Sequence, residues 1–341
     1  MAAGYRHLAG WGAAAGGGWA GDVTGVAVDD ADRVHVLRNT YPQVTVLNAA
    51  GDLVARWGDH DLSVRPHFIT ICGPRLLITD DGGHRVFIYD LDGQRQEVLG
   101  SGLPAATGYD VSNGRPQAAA LAGLIPAGPF NRPTKAVAQG DAIYVTDGYR
   151  NCRLHRFDGA RAIRSWGTAG TASGQFMVPH SLVIDAQGRI LVCDRENDRV
   201  QIFAADGAVI GMWENVQRPT DIVTDSAGHF YLSELPRGPS DLPSFRLGPA
   251  AAYLAGRVTK RDPAGRIIDE IRCDGVAFLA PHAVAVDRSG AVYVSEVPRS
   301  FGGYNGTQLQ LDSCLRKFEP LSLSSATAGG KGSCKAIRMQ G

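Results

Sequence analysis

The 341-residue chain has no apolar run approaching the roughly 18 to 20 residues that cross a bilayer as a helix, and its start, MAAGYRHLAGWG, has no basic segment leading into an apolar one. A soluble, cytoplasmic protein is the expectation. An excess of either charge is also missing: 34 Lys+Arg face 34 Asp+Glu, which removes the broad electrostatic footprint of a nucleic-acid or membrane-surface binder. No C-x-x-C pair occurs among Cys72, Cys152, Cys193, Cys273, Cys314 and Cys334, so reduced thiols that mostly pack are expected, not a disulfide framework or a thiolate zinc site. With 44% of residues hydrophobic and only 20% charged, disorder is excluded and a large core is available. Glycine is plentiful at 43 and proline stands at 18, which points to many turns.

Those turns recur with a period. A unit opens at a proline, runs through an apolar strand that ends near Asp, turns at Gly and continues into a second apolar strand. Arg-Val or a similar pair, an aromatic, Asp-x-x-Gly and finally Trp-Gly follow. Copies start at Val23, Arg65, Arg132, Val178, Arg218 and Ala280. Each holds four short β-type runs, so the expected fold is all-β: a six-bladed propeller of four-stranded antiparallel blades. Copy ends are marked by Trp57-Gly58, Leu99-Gly100, Trp166-Gly167 and Trp213, but the sixth stops near Phe318 without a fourth strand. Residues 5–12, YRHLAGWG, supply one, and pairing there closes the ring and removes an open edge. Residues 1–320 are thus read as a single domain, and residues 321–341, rich in Ser, Gly, Ala and Lys, as a flexible tail.

Three insertions interrupt the repeat. They are Ser101 to Phe130 between blades two and three, Pro236 to Gly256 between the second and third strands of blade five, and Pro298 to Ser313 at the same place in blade six. In an up-and-down blade all three emerge on one face, where long loops on a rigid scaffold usually carry function.

On that face the residue after the blade-opening proline is His67 in copy two, His180 in copy four and His282 in copy six, with Thr134 and Thr220 in copies three and five. Alternate blades lie about 120° apart, so three imidazoles converge on the channel mouth as a tripod. Three such ligands hold zinc or another divalent transition metal and leave one position open, the pattern of a catalytic ion. His7, His35, His60, His84, His155 and His229 share no slot and read as surface or packing residues. At the end of strand two the copies present Arg38, Asp80, Asp147 with Tyr149, Asp194 with Arg195, Glu234 and Glu296. Arg38 and Arg195 suit the carboxylate of an anionic substrate while Tyr149 moves a proton. Most of the five acids fit turn-capping or pairing with a neighbouring arginine. They are also the candidates, Asp80 and Asp194 foremost, to orient the metal histidines.

The segments VTDGYRNCRLHRFD, GQFMVPHSL and CDRENDRVQIF resemble the peptidyl-α-hydroxyglycine α-amidating lyases (peptidylamidoglycolate lyases), within a wider repeat of NHL type. The resemblance runs roughly from residue 5 to 318 and is most specific between Tyr144 and Phe203. It implies a six-bladed propeller with zinc on three histidines, which fall on His67, His180 and His282. Its catalytic tyrosine falls on Tyr149, and its active-site arginines on Arg195 and Arg38. It also implies cleavage of a carbinolamide, in which a C-terminal hydroxyglycine gives an amide and glyoxylate, and so a small anionic or amide-containing substrate. Arg150 stands where the family has a disulfide-bonded cysteine. Ala283 stands where it has an Asp that helps hold a structural calcium, which leaves only backbone carbonyls near Val26 and Ile69 for that ion. Two other readings are a metal-dependent hydrolase of lactones, esters or amides, and a non-catalytic NHL scaffold. The aligned histidines and the zero net charge count against the scaffold.

Overall fold

The computed structural model describes residues 4–19, 21–112, 114–271, 278–304 and 313–321. Among the described residues, twenty-four strands form six antiparallel sheets of four. Blades one to five each run from the channel outward in chain order, over residues 23–57, 66–99, 135–166, 179–213 and 219–271. Blade six takes Pro281–Val286, Val292–Glu296 and Leu315–Pro320 from one end of the chain and Tyr5–His7 from the other. The ring closes as expected, with Tyr5 opposite Pro320, His7 opposite Phe318 and an Arg6–Glu319 ion pair of 2.9 Å. The closing strand ends at His7 instead of reaching Gly12. Gly10 and Gly12 take left-handed φ of 76° and 68°, turn the chain, and lead into the short helix Ala13–Gly16.

The core lies between blades. Leu37, Val44 and Val46 of blade one meet Ile69, Ile78 and Phe87 of blade two, and Leu77, Val86 and Ile88 then meet Ala136, Ile143 and Val145 of blade three. The two inner strands of blade one are therefore buried almost throughout, whereas the outer strand Leu53–Trp57 is largely exposed. The gradient explains why inner runs are uniformly apolar and outer runs are mixed.

The same packing accounts for the Asp-x-x-Gly and Trp-Gly signatures. The tryptophan ending one blade lies on the turn glycine of the next: Trp57 on Gly93, Trp166 on Gly207 and Trp213 on Gly265. A Cβ on those glycines would sit 2.6, 1.8 and 2.4 Å from the indoles, and all three have left-handed φ of 83°, 88° and 82°. Each pair acts as a staple between neighbouring blades.

Among the described residues no helix is long and apolar enough to cross a membrane. Cys72, Cys152, Cys193 and Cys314 are free thiols. Cys273, Cys334, residues 305–312 of the third insertion and the tail from residue 322 lie outside the described residues.

The staples give a paired stability test. Gly188 shares a left-handed φ of 74° but faces open space, so Gly188→Ala is expected to cost about 1 kcal/mol. Gly207→Ala adds collision with Trp166 and should cost about 2–4 kcal/mol in chemical denaturation. Equal losses would contradict the staple.

Candidate metal centre and its cavity

His67, His180 and His282 sit at irregular points of the inner strands. The pairing register shifts between Pro66 and Phe68, between Pro179 and Ser181, and between Pro281 and Ala283, which leaves each histidine as the bulged residue. A bulge lifts a side chain out of the ladder and re-aims it, here into the channel. Their ring centroids form a near-equilateral triangle with sides of 4.7, 4.9 and 5.0 Å. Their ligand atoms lie within 4.8 Å of one another, the one such cluster of three metal-binding groups among the described residues.

What aims the rings is the main chain of the intervening blades. Nδ1 of His67 donates to the Thr134 carbonyl at 2.8 Å, that of His180 to Thr220 at 2.7 Å, and that of His282 to Thr24 at 2.7 Å. Thr24, Thr134 and Thr220 occupy the histidine slot in blades one, three and five. The ring is tied further by Thr134 Oγ1 donating to the Pro179 carbonyl at 2.8 Å and Thr220 Oγ1 to that of Pro281 at 2.9 Å. With its proton committed at Nδ1, a neutral imidazole exposes an unprotonated Nε2 to the channel. Burial keeps the rings neutral, pushing His67 down to about 3 and His180 and His282 well below the usual range. Nε2 of His67 and His282 then face each other at 3.2 Å with lone pairs on both sides. Two tetrahedral zinc ligands at about 2.05 Å stand about 3.3 Å apart, which matches this pair; the His180 donor lies within 4.8 Å of both, so the donor chemistry suits a divalent ion.

Tyr149 joins the cluster. Its hydroxyl is 2.8 Å from His67 Nε2 and 3.1 Å from His180 Nε2. Gly148 makes the approach possible, since a Cβ there would lie 2.0 Å from the Pro179 carbonyl oxygen. Burial raises the phenol above its usual range, and the positive charge of Arg195 offsets this only in part. The Arg195 guanidinium lies 5.4 Å from the Tyr149 ring centre and is held by Glu196 at 2.8 Å. Burial disfavours the Glu196 charge, yet Arg218, Arg195 and Arg237 together hold its carboxyl down to about 2.

The five acids ending strand two have a different task from orienting histidines. Asp80 accepts from Ser63 N, Asp147 from Asn131 N, Asp194 from Met177 N, Glu234 from Gln217 N, and Glu296 from Leu279 N and Ala280 N. Each pins the loop that enters its own blade just ahead of the slot. Histidine orientation falls to carbonyls, which no side-chain letter announces.

Tyr149, Arg195, His67 and His282 open into a cavity of about 550 Å³. Arg38 is not part of its lining; its guanidinium lies 5.8 Å from the Trp19 ring centre, against the buried end of the N-terminal segment. Among the described residues the lining instead holds Arg65, Arg115, Arg132, Arg150, Arg195 and Arg218 against the one carboxylate of Asp81. Arg65, Arg132 and Arg218 each precede a blade-opening proline, so the register that singles out the histidines would also have found them. The insertions divide between two tasks. Residues of 101–130 and 298–313 line the cavity, whereas 236–256 clamps the turn carrying Arg195 from outside, through Arg237 to Glu196 at 3.2 Å and Phe245 N to the Glu196 carbonyl at 2.9 Å.

One residue further along the inner strands, the channel is plugged by a second layer. Phe68, Ala283 and Gly25 share it with Lys135, Ser181 and Asp221. The Lys135 ammonium pairs with Asp221, which also accepts from Ser181 Oγ at 2.7 Å and Val284 N at 3.0 Å. The carboxylate in this layer thus comes from blade five and faces an ammonium, while blade six contributes Ala283.

The NHL repeat model matches residues 176–203, the stretch of blade four that carries His180 and Arg195. The propeller therefore carries a recognisable NHL repeat in its fourth blade. It is 29% identical over 299 residues to NHL repeat-containing protein 3 of Mus musculus, covering 80% of the chain and 76% of that protein. It is 35% identical over 147 residues to a Caenorhabditis elegans protein named a probable peptidyl-alpha-hydroxyglycine alpha-amidating lyase, covering 41% of the chain and 37% of that protein. The solved virginiamycin B lyase of Staphylococcus aureus matches with a TM-score of 0.52 at 12% identity, over 81% of the chain and 78% of its own, which shows a shared fold. This propeller therefore has a protein named as a probable enzyme among its relatives.

The plug beneath the histidines is testable by itself. Lys135→Met leaves Asp221 buried without its cation and should lower the unfolding free energy by about 3–5 kcal/mol in urea titration. Adding Asp221→Leu should recover much of that loss; an unchanged single variant would show the pair to be dispensable.

Proposed function

We propose that this propeller is a metal-dependent carbon–nitrogen lyase that cleaves a carbinolamide of the α-hydroxyglycine type into an amide and glyoxylate. One observation carries the reading: three imidazoles with Nδ1 committed to carbonyls turn Nε2 onto one point beside a tyrosine hydroxyl. The identity with the nematode relative supports this choice of chemistry. His67, His180 and His282 would hold the ion, for which zinc is proposed; when bound, it supplies Lewis acidity toward the substrate's hydroxyl oxygen.

The remaining steps belong to the chain. Arg195 binds the substrate carboxylate by charge-assisted hydrogen bonds, its orientation fixed by Glu196. Tyr149, ionised to the phenolate that Arg195 and a bound ion would favour, takes the hydroxyl proton on Oη. The freed electron pair becomes the C=O bond of glyoxylate, the C–N bond breaks, and the departing amide nitrogen receives a proton back from Tyr149. The part that the resemblance implies for Arg38 passes to the arginines that line the cavity.

Two measurements test the proposal. Elemental analysis of the purified protein is expected to find about one zinc per chain, lost in folded His67→Ala, His180→Ala and His282→Ala variants. A parent that stays metal-free after reconstitution would remove the enzyme reading. Glyoxylate release from α-hydroxyglycine amides should fall by about 100-fold or more in Tyr149→Phe while zinc is retained. Full turnover by that variant would overturn its role, and turnover of lactones or esters without glyoxylate release would point to a hydrolase.

A further inference from the structure

The cavity carries more positive charge than one carboxylate needs. Arg195 and Arg218 share Glu196, at 2.8 and 3.0 Å. Arg65 makes two parallel contacts with Asp81, both 3.1 Å, and Arg132 reaches the same carboxylate only at 4.0 Å. Arg150 and Arg115 meet no carboxylate at ion-pair distance among the described residues. Arg150 lies 4.4 Å from the ring centre of Tyr109, in the 101–130 insertion, and Arg115 of that insertion stands at the rim. The lining at Arg132, Arg150 and Arg115 is thus rich in guanidinium, and the carboxylate that acts on Arg150, Asp81, is already engaged by Arg65. Burial and the neighbouring Arg132 both disfavour the Arg150 cation, a cost that a bound anion relieves. The volume points the same way, because about 550 Å³ holds a ligand far larger than a hydroxyglycine unit.

We propose that Arg132 and Arg150, with Arg115 at the rim, form a second anionic subsite that takes an oxyanion carried by the substrate away from its reacting end. The inference deepens the lyase reading and rests on it for the first carboxylate. The amide released would therefore bear an acidic group of its own, a carboxylate or a phosphate, and Arg132, Arg150 and Arg115 select for it. Guanidinium suits both, since its fork matches planar carboxylate and phosphate oxygens alike.

Three α-hydroxyglycine amides of similar size test this, one capped with an acetyl group, one with succinyl and one with phosphoserine. The expected kcat/KM of the parent is at least tenfold higher for an acidic cap than for acetyl, with the better of the two acids naming the oxyanion. Arg150→Gln should lower that ratio about tenfold and Arg115→Gln, on the exposed rim, about threefold, whereas Arg164→Gln on an outer strand should leave it unchanged. Equal kcat/KM for all three caps, or a ratio that falls equally in Arg164→Gln, would overturn the subsite. If none of the compounds is turned over, the lyase reading fails separately, and calorimetric binding of the same three compounds to the same proteins decides. Tighter binding of an acidic cap that is lost in Arg150→Gln sustains the subsite, and equal binding ends it.

Discussion

The candidate centre depends on one hydrogen bond made three times: an imidazole N–H from an even blade donating to a main-chain carbonyl of the next odd blade. It fixes tautomer and ring direction together, and it ties blades two to three, four to five and six to one. The donor set is therefore as rigid as the channel wall. Neutral rings with lone pairs 3.2 Å apart do not attract one another, and the fold holds them there through bonds formed at the far side of each ring.

The rest of the mouth supports that arrangement at successive distances. Buried acids hold the loops ahead of each slot, and the residue before the blade-opening proline takes left-handed φ of 62° at Arg132, 60° at Val178 and 35° at Arg218. Such conformations are costly for residues with a Cβ and persist where the surroundings over-determine them. The 236–256 insertion contributes from outside, since Arg237 completes the three-arginine cage around Glu196 that steadies Arg195. Below, an internal ion pair and an apolar half-ring lie buried in the next layer of the inner strands.

The repeat made the fold legible because every blade spells the same burial gradient and the same glycine-tryptophan staple. The tripod was legible for the same reason: three histidines in one register slot become neighbours in space whatever their separation in the chain. Tyr149 and Arg195 followed from the strand-two ends of the repeat, and the segments that carry the family resemblance gave them roles. What could not be read were partners without side-chain letters, chiefly the carbonyls of Thr24, Thr134 and Thr220. Arg38 shares its strand-end position with Asp80 and Asp147, but Trp19, brought in by the N-terminal turns after Gly10, occupies the ground beside it. The arginines before the prolines were in view as spelling of the repeat, and their convergence on the mouth follows from the register already applied to the residue two places later.

Closure of the ring by residues 5–7 has a consequence for biosynthesis. The third imidazole, His282, is aimed by a carbonyl 258 positions earlier, across the seam where the two ends of the chain meet. A nascent chain that has emerged only through blade five offers two histidines and an unsealed wall, and neither can be completed until the sixth blade docks on the first. Any ion that needs all three nitrogens is thus captured after ring closure, and its binding free energy accrues only to the sealed propeller.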